Sequence, residues 1–132
     1  MNIVSDSKTI FVGTPSFLYC FYSTVLCNVK KKENYACLIS FLESGKLEPN
    51  KCRNCSQELK TLRTEFEKYP VSLVVWDMTD RSVLPPWKDN ISSHITSLAN
   101  YFVTADGQDF FDLMIDIFND AFMSGSFVCI DQ

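Results

Sequence analysis

The chain has 132 residues, of which 46% are apolar and 14% aromatic, so it predicts one globular domain with a substantial core and excludes an intrinsically disordered protein. Residues 1–70 hold ten Lys/Arg and seven Asp/Glu, or +3, whereas residues 71–132 hold two and nine, or −7, which together give the net charge of −4. The acidic half argues against nucleic-acid binding by that surface, because phosphate contacts need cations, and it favours a basic protein partner such as a nuclease.

The first predicted elements are a strand, an ambiguous segment and a helix. Residues 10–12 are a β-branched and aromatic run closed by Gly13-Thr14-Pro15, which predicts a strand followed by a turn. The pattern of residues 16–22 fits either a helical turn or a strand, and residues 23–29 alternate enough to predict a strand. Residues 34–44 are expected to form a helix that ends at Gly45, since glycine is common just after a helix.

The second helix and the later strands follow from the apolar runs. Residues 50–69 predict a helix, capped by Asn50 or Asn54 and stopped by Pro70. Residues 71–76 are a near-continuous apolar run, typical of a buried central strand, and residues 77–90 form a polar loop. Residues 100–104 and 127–130 predict two more strands. The order of elements predicts a single α/β (α+β) domain over residues 1–132, with one mixed sheet of about four to five strands and about three helices packed on it.

The most informative stretch is an amphipathic helix predicted between Asp106 and Met123. Asp106 and Gly107 are expected to turn the chain, with Asp106 capping the helix and Asp109 at its N3 position. The helix is expected to end at Ser124-Gly125. Four aspartates, spaced 3, 4 and 4 residues apart, fall within roughly 80° of arc. They are Asp109, Asp112, Asp116 and Asp120. The opposite side of this helix is apolar and comprises Phe110, Phe111, Met114, Ile115, Ile117, Phe118, Ala121 and Phe122.

This acidic stripe does not help its own helix. Pairs of aspartates four residues apart repel each other by about 0.2–0.5 kcal/mol, and negative charge near a helix C-terminus is disfavoured. No Lys or Arg follows Lys88 in the chain to offset them. The stripe is therefore either a surface for a cationic partner or a solvated face kept acidic for solubility. Neutralisation of these carboxylates by cations from residues 1–70 would contradict the first interpretation.

The six cysteines are interpreted mainly as core residues. Cys52 and Cys55 form a C-x-x-C pair, which fits half of a zinc site or a redox motif. The same two positions also begin an apolar stripe that continues at helical spacing through Leu59, Leu62, Phe66 and Tyr69, and cysteine packs as a small hydrophobe. Cys20, Cys27, Cys37 and Cys129 lie in apolar runs and receive the same interpretation. Lys51 and Arg53 would lower the pKa of a nearby thiol that was exposed.

No arrangement of residues predicts catalysis. There is no second C-x-x-C, the one histidine is His94, and Gly13-Thr14-Pro15 lacks the lysine and second glycine of a phosphate-binding loop. We therefore expect no enzymatic activity, no bound metal and no cofactor. No segment reaches the 18–20 apolar residues, approximately, of a membrane span, and residues 1–8 do not resemble a secretory signal, which predicts a cytoplasmic protein with reduced cysteines.

The loop around Pro85-Pro86-Trp87 is a second candidate for partner binding. Tryptophan is enriched at binding hot spots, and neighbouring prolines present it at low entropic cost. Trp76 is expected in the core. For Trp87 two roles stay open, partner contact or a cap on the sheet, and the adjacent Lys88 and Asp89 are included in the candidate contact set.

Segments spread over nearly the whole chain carry a resemblance to a known family. They are Phe11-Val12-Gly13-Thr14-Pro15-Ser16-Phe17-Leu18, Ser23-Thr24, Gly45-Lys46-Leu47, Val75-Trp76-Asp77, Pro85-Pro86-Trp87, Asn90-Ile91-Ser92 and Thr96-Ser97-Leu98-Ala99-Asn100-Tyr101-Phe102-Val103-Thr104-Ala105-Asp106-Gly107. In this order and spacing they resemble the immunity protein 70 family of bacterial polymorphic-toxin and contact-dependent inhibition systems. The family pattern has glycine where this chain has Lys88, and residues 29–38 look unlike the family.

The resemblance implies a small cytosolic protein that binds a toxin domain and blocks it without catalysis. The residues and the resemblance together predict an immunity protein whose partner is the C-terminal domain of a cognate toxin, with no nucleic-acid or membrane partner. Its predicted contact residues are Asp109, Asp112, Asp116, Asp120, Trp87, Lys88 and Asp89. The alternative is a small non-catalytic adaptor or regulatory domain that binds another basic protein through the same residues.

Overall fold

Both ends of the chain contribute to one antiparallel sheet in the computed structural model, which describes residues 1–131. The strands are β1 (Asn2–Val4), β2 (Thr9–Phe11), β3 (Lys46–Leu47) and β4 (Val128–Asp131), in the order β2-β1-β4-β3. Ile3 of β1 is fully buried and pairs with Ile10 on one side and Ile130 on the other. The predicted strands over residues 10–12 and 127–130 are confirmed as β2 and β4, whereas the sequence pattern predicts neither β1 nor β3.

The first helix, α1, spans Pro15–Asn28. Pro15 lies in its first turn, where the fixed φ of proline fits the helix and its missing N–H costs no hydrogen bond. Leu18, Phe21 and Val25 are buried at helical spacing. The strand predicted over residues 23–29 is therefore wrong, because this stretch continues a helical apolar face that begins upstream at Leu18.

The two predicted central helices are confirmed as α2 (Ala36–Ser44) and α3 (Cys52–Phe66), each preceded by a single 3-10 turn. Gly45 ends α2 with a φ of 76°, a backbone conformation that glycine adopts without strain. The prediction that Asn50 or Asn54 caps α3 is wrong. The residue before α3 is Lys51, no side chain caps the helix, and the 3-10 turn started by Pro49 leads directly into it.

Residues 71–76 do not form the predicted central strand. They form a 3-10 turn and then an extended segment whose polar backbone groups bond to side chains of α1. The Val75 N–H donates to Thr24 Oγ1 at 3.0 Å, and Asn28 Nδ2 donates to the Leu73 carbonyl at 2.9 Å. Because helix side chains satisfy these groups, Val75 is buried without a neighbouring strand, whereas Ser72 and Leu73 are exposed.

The strand predicted over residues 100–104 is also absent, although Tyr101 and Phe102 are buried; Val103 is exposed. One isolated bridge pairs Val103 with Asp109, and the Phe102 carbonyl accepts a hydrogen bond from the Phe110 N–H at 2.9 Å. The turn expected at Asp106-Gly107 is confirmed, with Gly107 at a φ of 86°. This segment therefore folds back onto the start of the last helix rather than joining the sheet.

The last helix, α4 (Phe110–Ser124), packs along α3 and completes the core. It ends at Gly125, which has a φ of 69°, as the sequence predicts. The centre of the core is a cluster of fully buried aromatic rings in mostly edge-to-face contacts: Phe21, Phe66, Phe102, Phe110 and Phe111. The α+β class is confirmed, but within residues 1–131 the four-stranded sheet is wholly antiparallel and not mixed as predicted, and α1 is a fourth helix. No helix within residues 1–131 is long and apolar enough to cross a membrane.

Candidate functional site

The α4 helix starts at Phe110, so Asp106 lies outside it. Asp109 is the N-cap residue, and its carboxylate accepts a hydrogen bond from the Asp112 N–H at 3.0 Å. The prediction that Asp106 caps the helix is wrong, because Asp106 lies in the turn that brings Asp109 back to pair with Val103, and the helix begins only after that pair. The Asp106 carboxylate instead accepts from Thr104 Oγ1 at 2.5 Å and closes the preceding turn.

Arg63 of α3 neutralises the N-terminal half of the acidic stripe. Its Nη2 lies 2.7 Å from Asp112 Oδ1 and 3.5 Å from Asp109 Oδ1, and its guanidinium stacks over the Phe111 ring at 5.3 Å. The expectation of a stripe without nearby cations therefore fails for these two residues. The sequence gives a weak signal for the contact, since Arg63 follows Leu62 at the border of the buried face of α3.

The C-terminal half of the stripe keeps its charge. Within residues 1–131 both side-chain ion pairs involve Arg63, so neither Asp116 nor Asp120 has a cationic partner there. Asp116 is exposed, and Asp120 accepts a hydrogen bond from Ser7 Oγ at 2.7 Å. Met123, one turn further along the same side, is 83% exposed. We call Asp116, Asp120 and Met123 the distal face of α4.

Met123 was not singled out from the sequence, because a methionine at the end of an apolar helix is usually buried. Phe122 was expected on the apolar side, but it is 36% exposed and lies under the Arg53 guanidinium at 5.4 Å. Phe127, just after the helix, is 46% exposed and is covered in the same way by Lys46 at 4.8 Å. The C-terminal end of α4 thus combines uncompensated acids with exposed apolar side chains.

Trp87 stabilises the loop that contains it. It is half-buried, its Nε1 donates to the Tyr101 hydroxyl at 2.6 Å, and its indole meets the Trp76 indole edge to face at 5.5 Å. Trp76, expected in the core, is likewise half-buried and packs against the core. Lys88 and Asp89 follow on the exposed side of the loop. These intramolecular contacts fix the conformation of the loop, and they do not identify a partner for it.

A groove of about 590 Å³ lies beside this loop. Val75, Trp76 and Tyr101 form part of its wall, and Lys88 and Asp89 also line it. Among the residues that the structure describes, no hydrogen bond or ion pair joins the loop to α4. The predicted contact residues therefore form two separate groups, one on α4 and one on the loop.

Lys88 adopts a left-handed backbone conformation, with a φ of 49°, at the position where the family pattern has glycine. A residue with a Cβ in this region is strained by about 1–2 kcal/mol relative to glycine. Glycine removes that strain, but it also destabilises the folded state somewhat because its unfolded chain has more conformational entropy. We expect Lys88→Gly to raise the free energy of unfolding by about 0.5–1 kcal/mol, measured by urea denaturation. Lys88→Gln, which removes the charge but keeps the Cβ, should leave stability unchanged, and an equal effect of both variants would contradict the backbone explanation.

The cysteines divide by exposure. Cys20, Cys52 and Cys55 are buried as predicted, and Cys37 and Cys129 are half-buried. The core prediction for Cys27 is wrong, because this residue lies on the exposed side of α1, where Arg81 Nη1 is 3.7 Å from its sulfur. In the part of the chain that the structure describes, no group of three or more His, Cys, Asp or Glu side chains is placed to hold a metal ion.

The comparisons with known proteins identify one family. The family model described as Immunity protein 70 matches residues 3–130, which is nearly the whole chain. No curated protein and no solved structure gives a significant match. The match covers α1 to α4, the loop of Trp87 and all of the sheet except its two end residues, Asn2 and Asp131.

Proposed function

Since the chain belongs to the immunity protein 70 family, we propose that it binds the C-terminal domain of one cognate toxin in the cytoplasm and neutralises it through the distal face of α4. The family name marks an immunity protein against a toxin. We further propose that the distal face of α4 is the contact surface, that the toxin domain is basic and that this protein has no catalytic activity of its own. We also place the protein in a polymorphic-toxin or contact-dependent inhibition system, with a nuclease as the favoured kind of toxin.

The observation that supports this surface is that only two of the four aspartates have a cationic partner within the described residues. Asp109 and Asp112 have Arg63 as a partner, so they stabilise the docking of α3 against α4. Asp116 and Asp120 repel each other across one helical turn and have no cation within the described residues to compensate them. A basic toxin surface supplies that compensation, and it steers association by long-range attraction.

Met123 adds an apolar contact to this charge. An exposed methionine is flexible and polarisable, so it packs into irregular pockets on a partner. Interfaces are typically held by a few buried side chains surrounded by polar groups that set orientation and rate. The distal face of α4 has this composition. The loop group of Trp87, Lys88 and Asp89 is a second proposed contact, in which Lys88 and Asp89 touch the toxin and Trp87 supports them.

The test is the rate at which the protein associates with the toxin domain encoded directly upstream of its gene. In the double variant Asp116→Asn and Asp120→Asn we expect association at low salt to slow by about tenfold, with a weaker dependence on salt than in the unchanged protein. The matched control is Glu33→Gln with Glu67→Gln, which removes two exposed charges elsewhere. Thermal stability of the Asp variant should stay the same or rise.

Two outcomes contradict different parts of the proposal. If the Asp variant and the Glu control associate at the same rate, toxin binding stands but the distal face of α4 is not the contact surface. If the unchanged protein does not bind or inhibit the neighbouring toxin domain at all, the immunity function itself is contradicted. The adaptor alternative would then predict a basic partner that is not a toxin.

A further inference from the structure

The groove of about 590 Å³ combines a buried apolar wall with exposed apolar side chains. Val75 is buried and Trp76 is half-buried where they line it. Two further lining residues, Val83 and Leu84, are 41% and 61% exposed, and we call this pair the rim of the groove. A small molecule that filled the groove would leave the rim in water, whereas a protein segment would cover it as well. Exposed apolar side chains that adjoin a groove therefore favour a protein as the occupant.

The rim belongs to an ordered part of the loop. The Asp77 carboxylate accepts a hydrogen bond from the Thr79 N–H at 2.9 Å, and that of Asp80 accepts from the Ser82 N–H at 3.2 Å. These bonds close two short turns of the kind that aspartate favours. The Val83 N–H then donates to the Asp80 carbonyl at 3.2 Å. A partner thus meets an apolar surface that is already formed, so little conformational entropy is lost on binding.

Both cations of the acidic half of the chain line this groove. Arg81 and Lys88 are the only Lys or Arg among residues 71–132, which also hold nine Asp or Glu. Neither cation forms an ion pair in the part of the chain that the structure describes. Asp89 is the one carboxylate among the lining residues, so two positive charges face one negative charge. An apolar groove with uncompensated cations is complementary to an apolar segment that carries negative charge.

We propose that the groove binds a segment of the toxin domain in which an apolar side chain is flanked by Asp or Glu. The apolar side chain packs against Trp76 and Leu84, and the carboxylate pairs with Arg81 and Lys88. This inference rests on the proposed function, because the toxin supplies the segment. The groove and the distal face of α4 differ in the sign of their charge, so together they select one orientation of the toxin, which contacts of a single sign would not do.

The affinity of the toxin domain for two groove variants tests the proposal. Arg81→Gln with Lys88→Gln removes both cations, and Leu84→Ser removes part of the rim. All three residues are exposed, so the fold should tolerate these changes, and unchanged urea midpoints check that it does. By titration calorimetry we expect each variant to bind the toxin domain encoded upstream of the gene about tenfold more weakly than the unchanged protein.

Matched controls separate the groove from net charge and from exposed apolar surface in general. Lys31→Gln with Lys32→Gln removes two exposed cations elsewhere, and Phe11→Ser removes a side chain that is 50% exposed and does not line the groove. Loss of two positive charges strengthens the long-range attraction to a basic toxin wherever they lie. The Lys control should therefore bind as tightly as the unchanged protein or more tightly, whereas the groove variant should bind more weakly.

The possible failures are distinguishable. If the unchanged protein binds the toxin domain and the groove variants bind it as tightly as their controls do, the groove proposal is overturned and the proposed function stands. Anilinonaphthalene sulfonate, an aromatic anion, then shows whether the groove takes a small organic anion, and light scattering shows whether it takes a second copy of the chain. If the unchanged protein does not bind the toxin domain, the proposed function is contradicted and the groove proposal falls with it.

Discussion

Replacing Phe21 by alanine is expected to lower the free energy of unfolding by about 3–5 kcal/mol. Phe21 is fully buried, and its ring meets those of Phe102, Phe110 and Phe111 at centroid distances of 5.0, 5.2 and 5.6 Å. Alanine would remove three edge-to-face contacts and leave a cavity between three separate parts of the chain. Because neighbours from α1 and α4 hold their own positions, they cannot close that space.

Urea denaturation followed by circular dichroism measures this effect. The matched control is Phe127→Ala, which removes the same side chain from a position that is 46% exposed, and it should cost less than about 1 kcal/mol. Phe21→Leu, which keeps most of the volume, should fall between the two and provides a measurement if the alanine variant does not fold. Equal losses for Phe21→Ala and Phe127→Ala would show that the aromatic cluster is not the centre of the core.

The parts of the fold that the sequence predicts correctly are features of short stretches of chain. The end of α2 at Gly45, the end of α4 at Gly125 and the turn at Gly107 follow from local backbone preferences, so they are predictable from a few neighbouring residues. The last strand is also predicted, because its apolar run is bounded by a turn. These features depend on short stretches of chain and not on how distant elements meet.

The errors lie where distant residues decide the structure. Residues 71–76 have the composition of a buried strand, but an apolar run of this length does not reveal whether its backbone will bond to a strand or to side chains. Here Thr24 and Asn28 of α1 take that role, 51 and 45 residues away in sequence from the groups they bond. Likewise Arg63 reaches Asp112 across 49 residues, so only the docking of α3 on α4 shows which aspartates remain uncompensated.

Replacing Glu65 by glutamine is expected to lower the free energy of unfolding by about 2–3 kcal/mol at neutral pH. One carboxylate oxygen of Glu65 accepts from the hydroxyl of the buried Tyr35 at 2.5 Å, and the other accepts from the Tyr69 hydroxyl at 2.5 Å and the Lys30 N–H at 3.0 Å. This carboxylate ties α3 to the segment before α2. Glutamine has a single acceptor oxygen and no charge, so it cannot support all three bonds equally.

The free energy of unfolding that Glu65→Gln loses should depend on pH, and the pKa of Glu65 in the folded protein sets the direction. Burial alone would raise the pKa of Glu65, but the hydrogen bonds from Tyr35 and Tyr69 outweigh it and lower the pKa below its usual range. A carboxyl group with a lowered pKa in the folded state adds stability above its unfolded pKa and loses it as the pH falls through the folded value. The difference in stability between the unchanged protein and Glu65→Gln should therefore shrink steadily from pH 6 towards about pH 3.

Glu58, two helical turns earlier on α3, provides a control with the opposite sign. Burial raises its pKa despite hydrogen bonds from the Leu38 and Cys37 N–H groups, so the folded state binds its proton more tightly than the unfolded state. The stability difference between the unchanged protein and Glu58→Gln should accordingly become smaller as the pH rises through the carboxyl range. Urea midpoints at a series of pH values measure both slopes, and equal slopes would contradict the assignment of Glu65 as the carboxylate that the two tyrosines hold ionised.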